Sequence, residues 1–220
     1  MKQHRTASNS QRESQIHIDK GSAYHQAGRA TAIYLGNKLK RLPAVHFQII
    51  ITQQDEEGQH LSRLQDKYTA KVEGGRLIQS LPLSFSGLTQ DFSWQQQEEF
   101  RSAFEADVIN VLAGSLAEAK YIALRDDEVF NANLVNIAAL RFYGGNADIE
   151  LITDYMECFM PDKAERDRKL IELFLAAFSF VNKHSNWYAI AALAKYIRDQ
   201  PKAVIGCEEV MALLESRLAA

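Results

Sequence analysis

Beyond Trp94, the apolar residues recur at the three- and four-residue spacing of α-helices, and this pattern covers more than half of the chain. It is clearest between residues 97 and 125, where the apolar positions are Phe100, Phe104, Val108, Val111, Leu112 and Leu116. Further helices are predicted at residues 130–143, 147–159, 162–183, 185–199 and 207–218, with Asp162 and Ser185 as N-caps. A chain with this pattern folds mainly into packed helices.

The first part of the chain predicts a mixture of elements. Residues 1–18 are polar and are expected to form a loose arm, ahead of a single domain from residue 19 to 220. A helix is predicted from about residue 19 to residue 41. Residues 44–52 (AVHFQIIIT) are typical of a strand, residues 53–75 of a long loop or hairpin, and residues 76–83 of a second strand. The predicted fold class is therefore mainly α (α+β), with a small β element.

Composition excludes several classes of partner and compartment. The formal net charge is −3, which predicts no affinity for nucleic acid or for an anionic membrane. No apolar stretch reaches the roughly 20 residues that a membrane-spanning helix needs. Cys158 and Cys207 are too few for a disulfide framework, so we expect a reducing compartment and a cytoplasmic protein.

The segment most informative about chemistry is AYHQAGRATA, residues 23–32. Zinc peptidases with an HExxH motif place two histidine ligands one helical turn apart, and the glutamate beside the first histidine is the general base. Here the corresponding pattern is HQxxR: His25 stands at the first ligand position, Gln26 at the base position and Arg29 at the second ligand position.

Three segments of the chain, taken in order, resemble the peptidase domain of the FtsH-type membrane-anchored, ATP-dependent zinc peptidases. Residues 23–32 resemble that family's AYHEAGHAVV stretch. VLAGSLAEA, residues 111–119, resembles its LGGRAAEE segment, and GGNADIE, residues 144–150, resembles its GASNDLE segment. Residues 189–214 are similar to the last two helices of the family.

The resemblance implies the fold of that peptidase domain and assigns roles to residues. Asp148 falls on the family's third zinc ligand, and Glu118 falls on the glutamate of the second segment. Two departures damage the chemistry. The amide of Gln26 has no useful basicity, and Arg29 offers a metal no lone pair and would repel it. We therefore expect no cofactor, with His25 and Asp148 as remnant ligand positions. We expect Arg29 to pair with Asp148, or otherwise with Glu118, against the alternative that it faces solvent.

These departures predict a non-catalytic relative that binds a peptide or protein, with a homo-oligomer as one possible assembly. The candidate binding element is an edge strand beside the helix of His25, formed by Ala44, Val45, His46, Phe47 and Gln48. Two alternatives stay open. One is an active zinc metalloendopeptidase with a rearranged metal site, which would require zinc, and the other is a helical structural protein without any site.

Overall fold

The computed structural model describes residues 17–53, 67–82, 84–199 and 202–218. Within these ranges the chain is mainly helical with one small sheet, as the sequence predicted. The helices are α1 (Lys20–Thr31), α2 (Asn37–Leu39), α3 (Phe85–Thr89), α4 (Trp94–Arg125), α5 (Asn146–Phe159), α6 (Lys163–Asn182), α7 (His184–Asp199) and α8 (Cys207–Leu218). The strands are β1 (His17–Ile18), β2 (Phe47–Gln53), β3 (Lys67–Gly74) and β4 (Val204–Gly206). A π-helical segment (Ala32–Gly36) joins α1 to α2, and a 3₁₀ turn (Ala139–Phe142) precedes α5.

The four strands form one sheet in the order β1-β3-β2-β4. β2 is antiparallel to both β3 and β4, whereas β1 runs parallel to β3. Burial along β2 alternates, with Phe47, Ile49 and Ile51 in the core. The prediction of a loose arm at residues 1–18 is wrong at the C-terminal end of that segment, because Ile18 pairs with β3 and is buried. Residues 1–16 of that arm lie outside the described ranges.

The prediction of an edge strand at residues 44–48 is wrong. β2 begins only at Phe47, and it is an inner strand with β3 on one side and β4 on the other. Ala44, Val45 and His46 precede β2 and belong to no strand. Gln48 pairs with both β3 and β4, while Phe47 pairs with β3 and is buried. The error arose because β4, which covers the second side of β2, is a three-residue strand that the apolar pattern did not reveal.

The second strand was also misplaced. It is β3, within the segment predicted as a long loop or hairpin, and the described part of residues 76–83 is not a strand. Gly74 and Gly75 both adopt positive φ angles, 78° and 76°, which end the strand. Beyond them, the backbone amides of Leu77 and Ile78 each donate to the carboxylate of Asp107 at 2.9 Å, so they find acceptors on α4 instead of on a strand.

The helices agree better with the prediction, with two departures. Asp19 caps α1 through Ser22 N, and Asp162 caps α6 through Glu165 N. Residues 130–143, predicted as a helix, form turns instead. The side-chain oxygens of Asn131 and Asn136 accept hydrogen bonds from backbone amides two or three residues downstream, which competes with helix formation. α7 begins at His184, so the predicted cap Ser185 lies inside it.

Helix α1 occupies the centre of the domain, where it packs on α4, on α7 and on β3. Apart from His25, its buried side chains are small, and Ala23, Ala27 and Ala30 are fully inaccessible. At Gly28 the two helices approach so closely that an added Cβ would lie 2.5 Å from both Ala113 O and Ala117 Cβ. The separation of α1 and α4, and so the position of every residue on α1, depends on this contact. No helix within the described ranges has the length and apolar character needed to cross a membrane.

We predict that Gly28→Ala destabilises the fold by about 1–3 kcal/mol, although alanine is the better helix former, because the added methyl group overpacks the α1–α4 contact. Gly36→Ala is the matched control. There an added Cβ meets only ordinary contacts, at 3.6 Å from Asn110 Oδ1 and 4.0 Å from Phe180, so the change should be neutral or stabilising by up to about 1 kcal/mol. Urea unfolding of both variants measures the difference. Equal stability of the two would show that the helix crossing is not tight at Gly28.

Candidate functional site

Helices α1, α4 and α5 bring three predicted site residues into direct contact. His25 on α1 and Asp148 in the first turn of α5 are each only 6% exposed. His25 Nε2 lies 2.9 Å from Asp148 Oδ2, and His25 Nδ1 lies 3.1 Å from Glu118 Oε2 on α4. The imidazole therefore bridges two carboxylates that are 30 residues apart in the chain.

Arg29 joins this cluster one helical turn after His25. Its Nη1 lies 3.5 Å from Asp148 Oδ1, which confirms the predicted pairing and excludes the alternative of a solvent-facing guanidinium. Ser115 Oγ, a residue the sequence analysis did not single out, donates to Asp148 Oδ2 at 3.1 Å. We call Arg29, Asp148, His25 and Glu118 the charge cluster. With His25 protonated, it holds two cations and two anions.

The protonation of His25 follows from its surroundings. Burial alone would lower the pKa of the imidazole, but its hydrogen bonds to Asp148 and Glu118 outweigh burial and raise the pKa to about 9. Burial likewise acts to raise the pKa of Asp148, and the contact with His25 outweighs it, so that this pKa lies below its ordinary value. At neutral pH the ring is an imidazolium, and both of its nitrogens donate.

Two glycines make room for the cluster. A Cβ on Gly114 would lie 2.9 Å from His25 Nε2, and a Cβ on Gly144 would lie 2.8 Å from Glu118 Oε2. Gly144 also has a φ of 67°, which side chains disfavour. Both glycines stand in the segments that carry the resemblance described above. In this structure glycine is required at both positions because a larger residue would displace His25 or Glu118.

Gln26 points away from the charge cluster and toward the sheet. Its Oε1 accepts a hydrogen bond of 2.8 Å from the backbone amide of Val72 in β3. The side chain at the general-base position of the resemblance thus acts as an acceptor for the strand beside it. The sequence carried no signal for this contact, because the position of β3 was not predicted.

The charge cluster as placed does not fit a zinc ion. A histidine that binds zinc must be neutral, with a lone pair directed at the metal, but both nitrogens of His25 face carboxylates. The guanidinium of Arg29 lies against Asp148, the carboxylate that faces Nε2 of the ring. Across the part of the chain that the structure describes, no three His, Cys, Asp or Glu residues are grouped so that they could hold a metal ion.

A cleft opens beside the cluster, between β3 and α5. We call it the β3 cleft. It has a volume of about 540 Å³, and Arg29 and Asp148 form its inner end. Residues 71–74 of β3 form one wall, Ala147 and Leu151 the other, and Arg76 lies at its rim. None of the predicted binding residues 44–48 lines it, so the accessible groove lies along a different strand from the one predicted.

We predict that Asp148→Asn destabilises the fold by about 3–5 kcal/mol, because it leaves the buried charges of His25 and Arg29 without their shared partner. Asp154→Asn, an exposed position on the same helix, serves as the control and should cost less than about 0.5 kcal/mol. Chemical denaturation gives both values. A loss below 1 kcal/mol for Asp148→Asn would mean that the cluster does not stabilise the domain.

A second prediction concerns pH. The pKa of His25 is about 9 in the folded chain and its ordinary value is 6.5, so its contribution to stability is complete below pH 6.5 and is lost as the pH rises from 6.5 to 9. The loss should be on the order of 3 kcal/mol. Urea unfolding at pH 6.5 and 9.5 measures it, with His46→Asn, an exposed histidine, expected to retain the full loss and His25→Asn to lack it. An NMR titration of the His25 ring with a midpoint near 6.5 would contradict the prediction.

Compared with known proteins, the chain matches no family model, no curated protein and no solved structure. The resemblance to the FtsH-type peptidase domain is therefore an expectation from the three sequence segments alone.

Proposed function

We propose that this domain is a non-catalytic relative of the FtsH-type zinc peptidase domain and that it binds an extended segment of a peptide or protein in the β3 cleft. The observation that carries the proposal is the contact of Asp148 with both His25 and Arg29. The proposed remnant ligands are engaged with each other and with a guanidinium. The two free cysteines accord with a reducing compartment, and we propose the cytoplasm.

The same contacts argue against hydrolysis. A general base needs a free lone pair near neutral pH, and the imidazolium of His25 has none until the pH approaches 9. The amide of Gln26 cannot accept a proton from water, and it is already bonded to Val72. An active peptidase with a rearranged site would need metal ligands with free lone pairs, and the residues of the charge cluster are already bonded to one another.

The β3 cleft offers an extended chain a backbone to pair with. β3 pairs with β2 from Tyr68 to Gly74, but on its other side β1 meets it only at Lys67 and Tyr68. Among the described residues, positions 69–74 therefore have no strand partner on that side. Exposed strand edges bind extended peptides by strand addition, in which main-chain hydrogen bonds supply affinity.

The hydrogen bond from Val72 to Gln26 marks where such a peptide would lie. The Gln26 side chain makes the bond that a peptide carbonyl would make in an added strand. It satisfies a buried amide while the cleft is empty, and its flexible side chain can yield the amide to an incoming chain. Leu151 across the cleft provides apolar contact for one side chain of the peptide.

The test uses unfolded casein as the probe and hydrogen exchange as the readout. We expect casein to slow exchange at residues 69–74 and to remain intact on a gel, with and without a chelator. Ala147→Trp, which fills the cleft from an exposed position, should abolish the protection. Ala164→Trp on α6, an equally exposed alanine outside the cleft, is the matched control and should retain it.

Two results would contradict the proposal. Protection confined to the helices distant from β3, or unaffected by Ala147→Trp, would remove the β3 cleft as the binding site. Cleavage of casein that a chelator stops and His25→Ala abolishes would establish a zinc peptidase instead.

A further inference from the structure

A second cleft lies between α1, α7 and α8, and it shares no lining residue with the β3 cleft. We call it the α7 cleft. Its volume is about 600 Å³, within the range of small-molecule sites. Tyr24, the neighbour of His25 on α1, forms its inner wall, and the side chains of α7 and α8 complete it. Nothing in the proposed function makes use of it.

Two of the three cations that line the α7 cleft have no ion-pair partner among the described residues. Three cationic side chains line it, Lys195, Arg198 and Arg217, against one carboxylate, Asp199. Asp199 is paired with Lys195 at 2.9 Å. In the described part of the chain, neither arginine forms an ion pair or a side-chain hydrogen bond, and Arg198 Nε is buried without any acceptor. A buried donor without an acceptor is unfavourable, so this one points to an acceptor that the described part of the chain does not supply.

Tyrosines provide the remaining walls. The ring of Tyr24 is stacked between Tyr121, with centroids 4.4 Å apart, and Trp187, with centroids 5.4 Å apart. Tyr188 is 51% exposed at the mouth. No hydrogen bond within the described residues uses the hydroxyl group of Tyr24 or Tyr188. The hydroxyl of Tyr196, in contrast, already donates to Glu209. The cleft thus combines free N–H and O–H donors with an aromatic face.

We infer that the α7 cleft binds a phosphate monoester whose organic part carries an aromatic ring. Phosphate oxygens match the planar fork of arginine through paired, charge-assisted hydrogen bonds, and Arg198 and Arg217 are free to make them. The tyrosine hydroxyls donate to the same oxygens. The exposed ring of Tyr188 stacks on the ring of the ligand, while Ala191 and Ala192 leave space beside it.

Fluorescence of Trp187 reports on this cleft through its contact with Tyr24. The chain has only two tryptophans, so Trp94→Phe, an exposed position on α4, leaves Trp187 as the sole reporter. In that background we titrate phenyl phosphate and, separately, inorganic phosphate. We expect saturable binding of phenyl phosphate, and weaker binding of inorganic phosphate because it lacks the ring.

Arginine variants locate the binding. Arg198→Gln should weaken phenyl phosphate binding by at least about tenfold, since it removes a charged fork. Arg198→Lys, which keeps the charge but loses the fork, should recover only part of the affinity. Arg168→Gln on α6 changes the net charge equally outside the cleft and should have no effect. If Arg198→Gln does not fold, Arg217→Gln at an exposed position carries the same test.

Three results would overturn the inference. They are the absence of saturable binding by phenyl phosphate, equal weakening by Arg168→Gln and Arg198→Gln, and affinity for inorganic phosphate as high as for phenyl phosphate. The first two would show that the α7 cleft is not the binding site, and the third would show that the ligand needs no aromatic ring. This experiment involves neither casein nor the β3 cleft, so its outcome does not depend on whether the proposed function is correct.

Discussion

The buried positive charge of His25 joins the three helices on which the rest of the site is arranged. A buried ion is tolerated only where partners compensate it, and the imidazolium finds one carboxylate on α4 and another on α5. This requirement fixes the rotation of α1, since the ring must lie between Glu118 and Asp148. It also fixes the first turn of α5, which therefore begins where Asp148 can reach both His25 and Arg29. The glycines at 114 and 144 are consequences of the same constraint, because the ring and Glu118 occupy the space where their side chains would lie.

Under the proposed relationship to zinc peptidases, the charge cluster replaces a metal with protein cations. A carboxylate at the position of Asp148 needs positive charge close by, which a zinc ion would supply in the active family. In this chain the imidazolium and the guanidinium supply it, and they do so without an open coordination position. Gln26, at the position of the general base, accepts a hydrogen bond from the edge of β3 and does not act on a water molecule. On this account the departures at residues 26 and 29 act together, because Arg29 supplies positive charge to Asp148 while Gln26 bonds to β3 and not to a reacting water.

Helix capping and one-turn spacings could be predicted from the sequence, whereas the strand pairing, the turns at residues 130–143 and the contacts with distant partners could not. Asp19 and Asp162 cap helices through bonds three residues away, and Arg29 lies one turn from His25, so spacing alone predicts these features. The inner position of β2 depends on β4, some 150 residues further along, and the end of β3 depends on two glycines with positive φ. Residues 130–143 have helical apolar spacing, but asparagine side chains bond to nearby amides and turn the chain. The contact of Gln26 with Val72 needed the location of β3, and the free donors of the α7 cleft needed the arrangement of three helices.

Zinc stoichiometry decides whether the charge cluster fills the position that a catalytic metal would need. The purified chain is incubated with excess zinc, desalted, and analysed for metal by mass spectrometry beside His25→Ala. We expect far less than one zinc per chain, with no difference between the two proteins, because both nitrogens of His25 contact carboxylates. One zinc retained per native chain and lost in His25→Ala would contradict it.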